Sequence, residues 1–181
     1  MLVRSEYAGE LAVLSAWICA LCPWSVTVAP NLFDDGVHLL RVHFTFGFAQ
    51  LVFGGNPEGV TRFASAIAAP GLEIDPVITL GYSLAGIGAV VTGVAFASSI
   101  VYYVFDERLE AASPIDPARG MGGILIAAAV CFTAATAVLF DALIGTIVPV
   151  GVLFMYVLGA VLLTVDRSAV ELGKERSDER A

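Results

Sequence analysis

The sequence predicts an all-α membrane protein: a four-helix transmembrane bundle with an extracellular β-hairpin and a short amphipathic helix between helices 1 and 2. Three observations predict it. From Pro76 to Phe105, 30 consecutive residues include no Asp, Glu, Lys, Arg or His, whereas a bilayer core needs only about 20 apolar helical residues. Hydrophobic residues make up 58% of the 181-residue chain and charged residues 14%, against roughly 25% charged in ordinary soluble domains. Three further uncharged runs, Leu11–Ala29, Gly120–Phe140 and Ala142–Val165, are long enough to span.

The first span is expected at 11–29. Arg4 gives it a positive flank, but Pro30 sits just after Ala29, which disfavours cleavage. The run is also longer than a usual signal core, so it reads as an uncleaved helix. An outer loop follows over 30–75. The second span, 76–105, opens on Asp75-Pro76. An Asp at the N-cap accepts from free backbone N–H groups, and a Pro at the first helical position has no N–H to leave unsatisfied. Thirty residues reach about 45 Å, beyond the roughly 30 Å core, so this helix tilts or projects. An inner loop, 106–116, ends on the same signal at Asp116-Pro117, which opens the third span at 117–140. Asp141 splits the last apolar stretch into a helical hairpin. Thr146 is a candidate cap for the fourth span, 147–165, with Pro149 in its first turn. The mixed-charge tail, 166–181, is expected to be solvated. The whole is one polytopic domain.

Basic residues set the orientation. Arg4, Arg108, Arg119, Arg167, Lys174, Arg176 and Arg180 fall on one side and only Arg41 and Arg62 on the other. The positive-inside rule places both termini in the cytoplasm and the 30–75 loop outside. The net charge is −8, with 17 Asp and Glu and a single Lys. Acidic polar segments almost without Lys suit molar salt, where carboxylates hold water and screening removes their repulsion. A halophilic source is the expectation.

The opening Val3-Arg4-Ser5-Glu6-Tyr7-Ala8-Gly9-Glu10-Leu11, the Pro23-Trp24 pair near the end of the first run and the overall length resemble small uncharacterised multipass membrane proteins of haloarchaea. The resemblance implies a cell-membrane location and transfers no activity and no residue role.

The outer loop carries the least usual pattern. Val42, Phe44, Phe46 and Phe48 alternate with Arg41, His43, Thr45 and Gly47, the period of a half-buried strand. Ala49–Phe53 is a candidate second strand. Pro57–Ala69 reads as a helix with Val60, Phe63, Ala64 and Ile67 on one side. This unit either caps the bundle or binds a partner chain.

Candidate chemistry is sparse. His38 and His43, with Asp34 and Asp35 just before them, have the donor types for a divalent metal. On a strand, however, 38 and 43 point to opposite faces. Cys19 and Cys22 form a C-x-x-C pair on one helical face, which suits a redox pair, but buried Cys more often acts as a small apolar residue. The four runs hold no ionisable group near their centres, which argues against a conduction path. Gly81, Ala85, Ala89, Gly93 and Ala97 recur every four residues, a helix-packing signal in lipid.

The leading expectation is a non-enzymatic accessory or interaction protein of the archaeal cell envelope. Its expected partners are membrane lipids and a second copy or a membrane protein, met through the second helix or the outer loop. An oligomeric small-solute transporter or channel component is the first alternative. A membrane thiol oxidoreductase using Cys19 and Cys22 is the second. No catalytic residue, metal, cofactor or nucleic-acid partner is expected.

Overall fold

The computed structural model describes residues 8–32, 36–54, 59–112 and 116–164. Its elements are α1 (Ala8–Leu21), β1 (Pro23–Leu32), β2 (Val37–Phe44), β3 (Gly47–Phe53), β4 (Gly59–Ser65), a 3-10 turn (Ala69–Leu72), α2 (Pro76–Ala112), α3 (Pro117–Ala142), β5 (Thr146–Val148) and α4 (Val150–Thr164). The five strands form one antiparallel sheet in the order β4-β3-β2-β1-β5. Among the described residues only Pro76–Phe105 and Pro117–Ala142 are long and apolar enough to cross a membrane. The fold is therefore mixed, and the expected all-α bundle of four spans is overturned.

The first expected span divides at Pro23. The helix ends at Leu21, after 14 residues, a length of about 21 Å. Pro23 lacks the N–H that would continue the ladder. Beyond it Val26 and Val28 alternate with Ser25 and Thr27, and β-branched side chains favour the pleated backbone. The last expected span divides in the same way. Thr146 lies in β5, paired with Val28, and caps no helix. α4 then has only 15 residues, about 22 Å. Gly145, at φ +111°, makes the approach possible, because a Cβ there would lie 2.6 Å from the Val28 carbonyl oxygen.

The expected hairpin is present with its turn displaced. Thr45-Phe46 forms a two-residue connection and Phe44 pairs with Gly47, so the alternating run 41–48 belongs to two strands. The expected amphipathic helix at 57–69 is absent: Gly59–Ser65 is β4 and Ala69–Leu72 the 3-10 turn. A bulge explains the misreading. The β3–β4 register passes from Gln50↔Arg62 to Leu51↔Val60, leaving Thr61 over. Val60 and Phe63 thus share a face although three residues apart, which imitates a helical spacing.

Both Asp-Pro starts are as expected. Val77 N donates to Asp75 Oδ1 at 2.7 Å and Ala118 N to Asp116 Oδ1 at 2.9 Å. α2 continues to Ala112 through a break at Phe105 (φ −129°, ψ 30°). α2 and α3 form an antiparallel pair that runs the length of the molecule. At the end formed by Phe105 and Pro117, α1 and α4 flank the pair. Trp17 of α1 packs on Phe96, with ring centroids 4.9 Å apart. α4 crosses α3 so closely that a Cβ on Gly122 would lie 2.8 Å from the Gly159 carbonyl oxygen. At the Pro76 and Ala142 end the sheet takes over. Trp24 stacks on Phe132 at 5.0 Å, Tyr82 stacks on Phe48 at 5.5 Å, and the hairpin tip reaches Gly93 with Phe46.

The small-residue stripe of α2 is used within the chain over most of its length. Gly81 lies against Leu139, Ala85 and Ala89 are buried, and Gly93 meets Phe46, whereas Ala97 is exposed. Hydroxyls on the long helices bond back to their own carbonyls, as Thr92 does to Gly88 and Thr136 to Phe132, which is why they leave no polar path.

Candidate functional site

Side chains in register on neighbouring strands share a face of a sheet. Thr27 pairs with Arg41, Arg41 with Gln50 and Gln50 with Arg62. One residue pair nearer the hairpin tip, Ser25, His43, Phe48 and Ala64 form the next row on the same face. This face turns toward α2 and α3. The opposite face carries Val26, Val28, Leu40, Val42, Phe44, Leu51, Val60, Phe63 and Val148. Several of these are well exposed, Phe63 to 73% and Val60 to 66%. Relative to a sheet in water, charged and polar groups gather inward, beside Leu39, Phe48 and Ile147, and the outer face is mainly apolar, with His38 and Thr146 among its exceptions.

The inner rows form a connected network. Arg41 donates through Nη1 to Tyr82 Oη at 2.8 Å and through Nε and Nη2 to Gln50 Oε1 at 3.2 and 2.7 Å. Gln50 Nε2 donates to Thr61 Oγ1 at 3.4 Å. The Arg62–Glu73 ion pair, at 3.0 Å, closes the β4 side. Both guanidinium groups lie near the Phe48 ring, Arg41 at 5.3 Å and Arg62 at 5.9 Å from its centroid, a favourable cation–π distance.

His43 sits at the centre of the inner rows, 1% exposed. Ser25 Oγ lies 3.1 Å from its Nδ1 and Tyr82 Oη 3.4 Å from its Nε2. Because Tyr82 accepts from Arg41, its own proton is free to point at Nε2, and Nδ1–H then donates to Ser25. Burial first, and the Arg41 charge second, push the His43 pKa down to about 3, so the ring is neutral at physiological pH. Rings of Trp24, Phe48 and Tyr82 surround it at 5.1 to 6.0 Å.

A Ser–His contact invites a catalytic reading, but the geometry rejects it. Ser25 is 0% exposed, and the adjoining void, between Trp24, Tyr82 and Ala85, holds only about 10 Å³. That is room for about one water and for no substrate.

The residues singled out from the sequence are dispersed. His43 is in the core, while His38, on the other face of β2, is exposed. Asp34 and Asp35 lie outside the described residues. Among the described residues no three His, Cys, Asp or Glu gather as a metal cluster would require. Cys19 is buried in α1 and Cys22 follows its end; both are free thiols. Thr45, in the hairpin turn, donates to the Cys19 carbonyl at 3.1 Å, which ties the tip of the sheet to α1. Arg41, Gln50, Tyr82 and Trp24 were not expected to form a site. The available signal was Arg41 and His43 on one parity of a strand whose other parity, His38 apart, is apolar.

An antiparallel sheet with a polar inner face, leaning on two helices of membrane-crossing length, defines the structural class. The chain belongs to a family of unknown function, DUF7549, whose model matches residues 1–167. No curated protein matches it.

Proposed function

We propose that the protein is a non-enzymatic accessory protein of a haloarchaeal cell membrane, held there by α2 and α3, which sets the apolar outer face of its sheet against lipid or the apolar surface of a membrane partner. The inverted sheet is the observation that carries this reading. A sheet facing water on one side places polar residues there; here the uncovered side carries Val28, Phe44, Phe53, Val60, Phe63 and Val148, each 39% exposed or more. Large exposed apolar patches mark interaction surfaces. The long helices support the same reading, since only 33% of each apolar window is buried within the protein. The core helix of a soluble protein would be mostly covered. The pairing of 17 acidic residues with a single Lys supports the high-salt setting.

Geometry favours the same topology as the basic residues. Ala8 of α1 and Thr164 of α4 both lie toward the Phe105 and Pro117 end of the long pair, which supports reading the two flanking helices as entering from the same side. The structure gives the alternatives no such support. His43 is 1% exposed among the rings of Trp24, Phe48 and Tyr82, and Cys19 is 2% exposed.

A photo-crosslinking residue at Phe63, introduced in native membranes, tests the proposal. Adducts with lipid or with a membrane protein are expected. Recovery of the chain in the soluble fraction, with Phe63 crosslinked to neither, would overturn it.

A further inference from the structure

Arg41 and Arg62 stand two strands apart on the same face, yet only Arg62 has a carboxylate partner, Glu73. Among the described residues no carboxylate lies within 4.0 Å of Arg41; its hydrogen-bond acceptors are Gln50 and Tyr82, both neutral. Beside it, Thr27 Oγ1 is buried, on a residue only 1% exposed, and makes no hydrogen bond. A buried polar atom without a partner costs free energy and calls for an explanation. Thr27 and Arg41 both line one cleft of about 220 Å³ between the sheet and the Pro76 and Ala142 ends of the long helices, together with Leu39, Ile78, Leu143 and Glu73.

We propose that this cleft binds the head of an acidic amphiphile: a carboxylate or phosphate oxygen accepts from the remaining Arg41 N–H groups and from the Thr27 hydroxyl, and the attached apolar chain lies along Leu39, Ile78 and Leu143. A guanidinium and a hydroxyl side by side present converging donors to an anionic oxygen. The low-polarity walls strengthen that contact. Glu73 is engaged by Arg62, and its second oxygen admits a head bearing a hydroxyl or ammonium donor while opposing a doubly charged anion. The site does not depend on the sheet's outer face or on the chain being in a membrane, because a soluble acid of the same chemistry would also fit.

Purified protein in neutral detergent is titrated with inorganic phosphate, with a long-chain carboxylate, and with vesicles of anionic phospholipid against vesicles of zwitterionic phospholipid. Trp24 and Tyr82 emission and native mass spectrometry report binding. The amphiphiles are expected to bind and inorganic phosphate to bind far more weakly. Preference for anionic vesicles assigns the ligand to lipid, and preference for the free carboxylate to a soluble acid. Thr27→Val is isosteric and removes no contact in the empty site, so the unliganded protein should melt at the wild-type temperature or above it while affinity falls about tenfold. Arg41→Gln should abolish binding. Where that variant fails to fold, Thr27→Val still decides. Unchanged affinity in Thr27→Val, or no binding by any of the acidic probes, overturns the proposal. Membrane extraction and Phe63 crosslinking would be unaffected by that failure.

Discussion

The two faces of the sheet obey opposite rules. On the inner face Thr27, Arg41, His43 and Gln50 are shielded by α2 and α3, and all but Thr27 are joined by hydrogen bonds. On the outer face Phe63, Val60 and Phe53 stand uncovered. In water the hydrophobic effect would drive the opposite arrangement. The contrast teaches that the sheet gathers its polar contacts inside and leaves apolar side chains uncovered. It also changes the argument about polar groups at depth. The long helices carry no Asp, Glu, Lys, Arg or His at mid-length, but the sheet brings Arg41 and His43 against Tyr82 of α2.

The contrast can be broken from the inside first. His43→Ala removes the ring at the centre of the network, leaves Ser25 and Tyr82 with unmet partners and opens a cavity. A loss of about 2–4 kcal/mol is expected, measured by denaturant unfolding in detergent micelles. A loss as small as that of a surface change would mean the inner face is not the stabilising one. Gly122→Ala, far from the sheet, should cost about 1–3 kcal/mol by overpacking, since the new Cβ meets the Gly159 carbonyl oxygen and Leu162. It serves as a control for helix packing, and it should leave the sheet's pH response unchanged.

Acid offers a milder test. The His43 pKa is lowered in the folded state, from 6.5 to about 3. Between those values the unfolded chain binds the extra proton, so its contribution to stability is fully present above pH 6.5 and is lost as pH falls toward 3. The limiting slope is about 1.4 kcal/mol per pH unit. His43→Gln should flatten the part of the pH–stability curve that this residue supplies. The smallest effect is expected outside: Phe63→Ser should shift unfolding in detergent by under about 0.5 kcal/mol. A large loss would mean that a face described as uncovered is packed in the folded state.

Much of this was legible, and the omissions have physical causes. Asp75-Pro76 and Asp116-Pro117 announced the two long helices because capping is local chemistry. The β2–β3 pairing was visible in its alternation, but Gly47 did not stand out as the strand start after a two-residue turn. β1 was hidden because hydropathy averaged over a window does not register the change from helical to strand period at Pro23. β4 was hidden because the Thr61 bulge places Val60 and Phe63 three residues apart on one face. β5 has three residues, too few for any periodicity. The site was less legible than the fold. Arg41 was read as an outer-side base and a strand residue, and His43 as a strand residue and a candidate metal ligand; their meeting with Tyr82 was not legible, since it depends on how the sheet leans on α2.

The pairing of Val26 with Val148 has a consequence for biosynthesis. β1 leaves the ribosome early, but the strand that covers its free edge is made only after both long helices. Until then that edge offers unpaired backbone groups to any extended segment nearby. Closure of the sheet is therefore a late, long-range step, slow by its topology, and Gly145, which lets β5 approach Val28, is the hinge on which the completion of the fold waits.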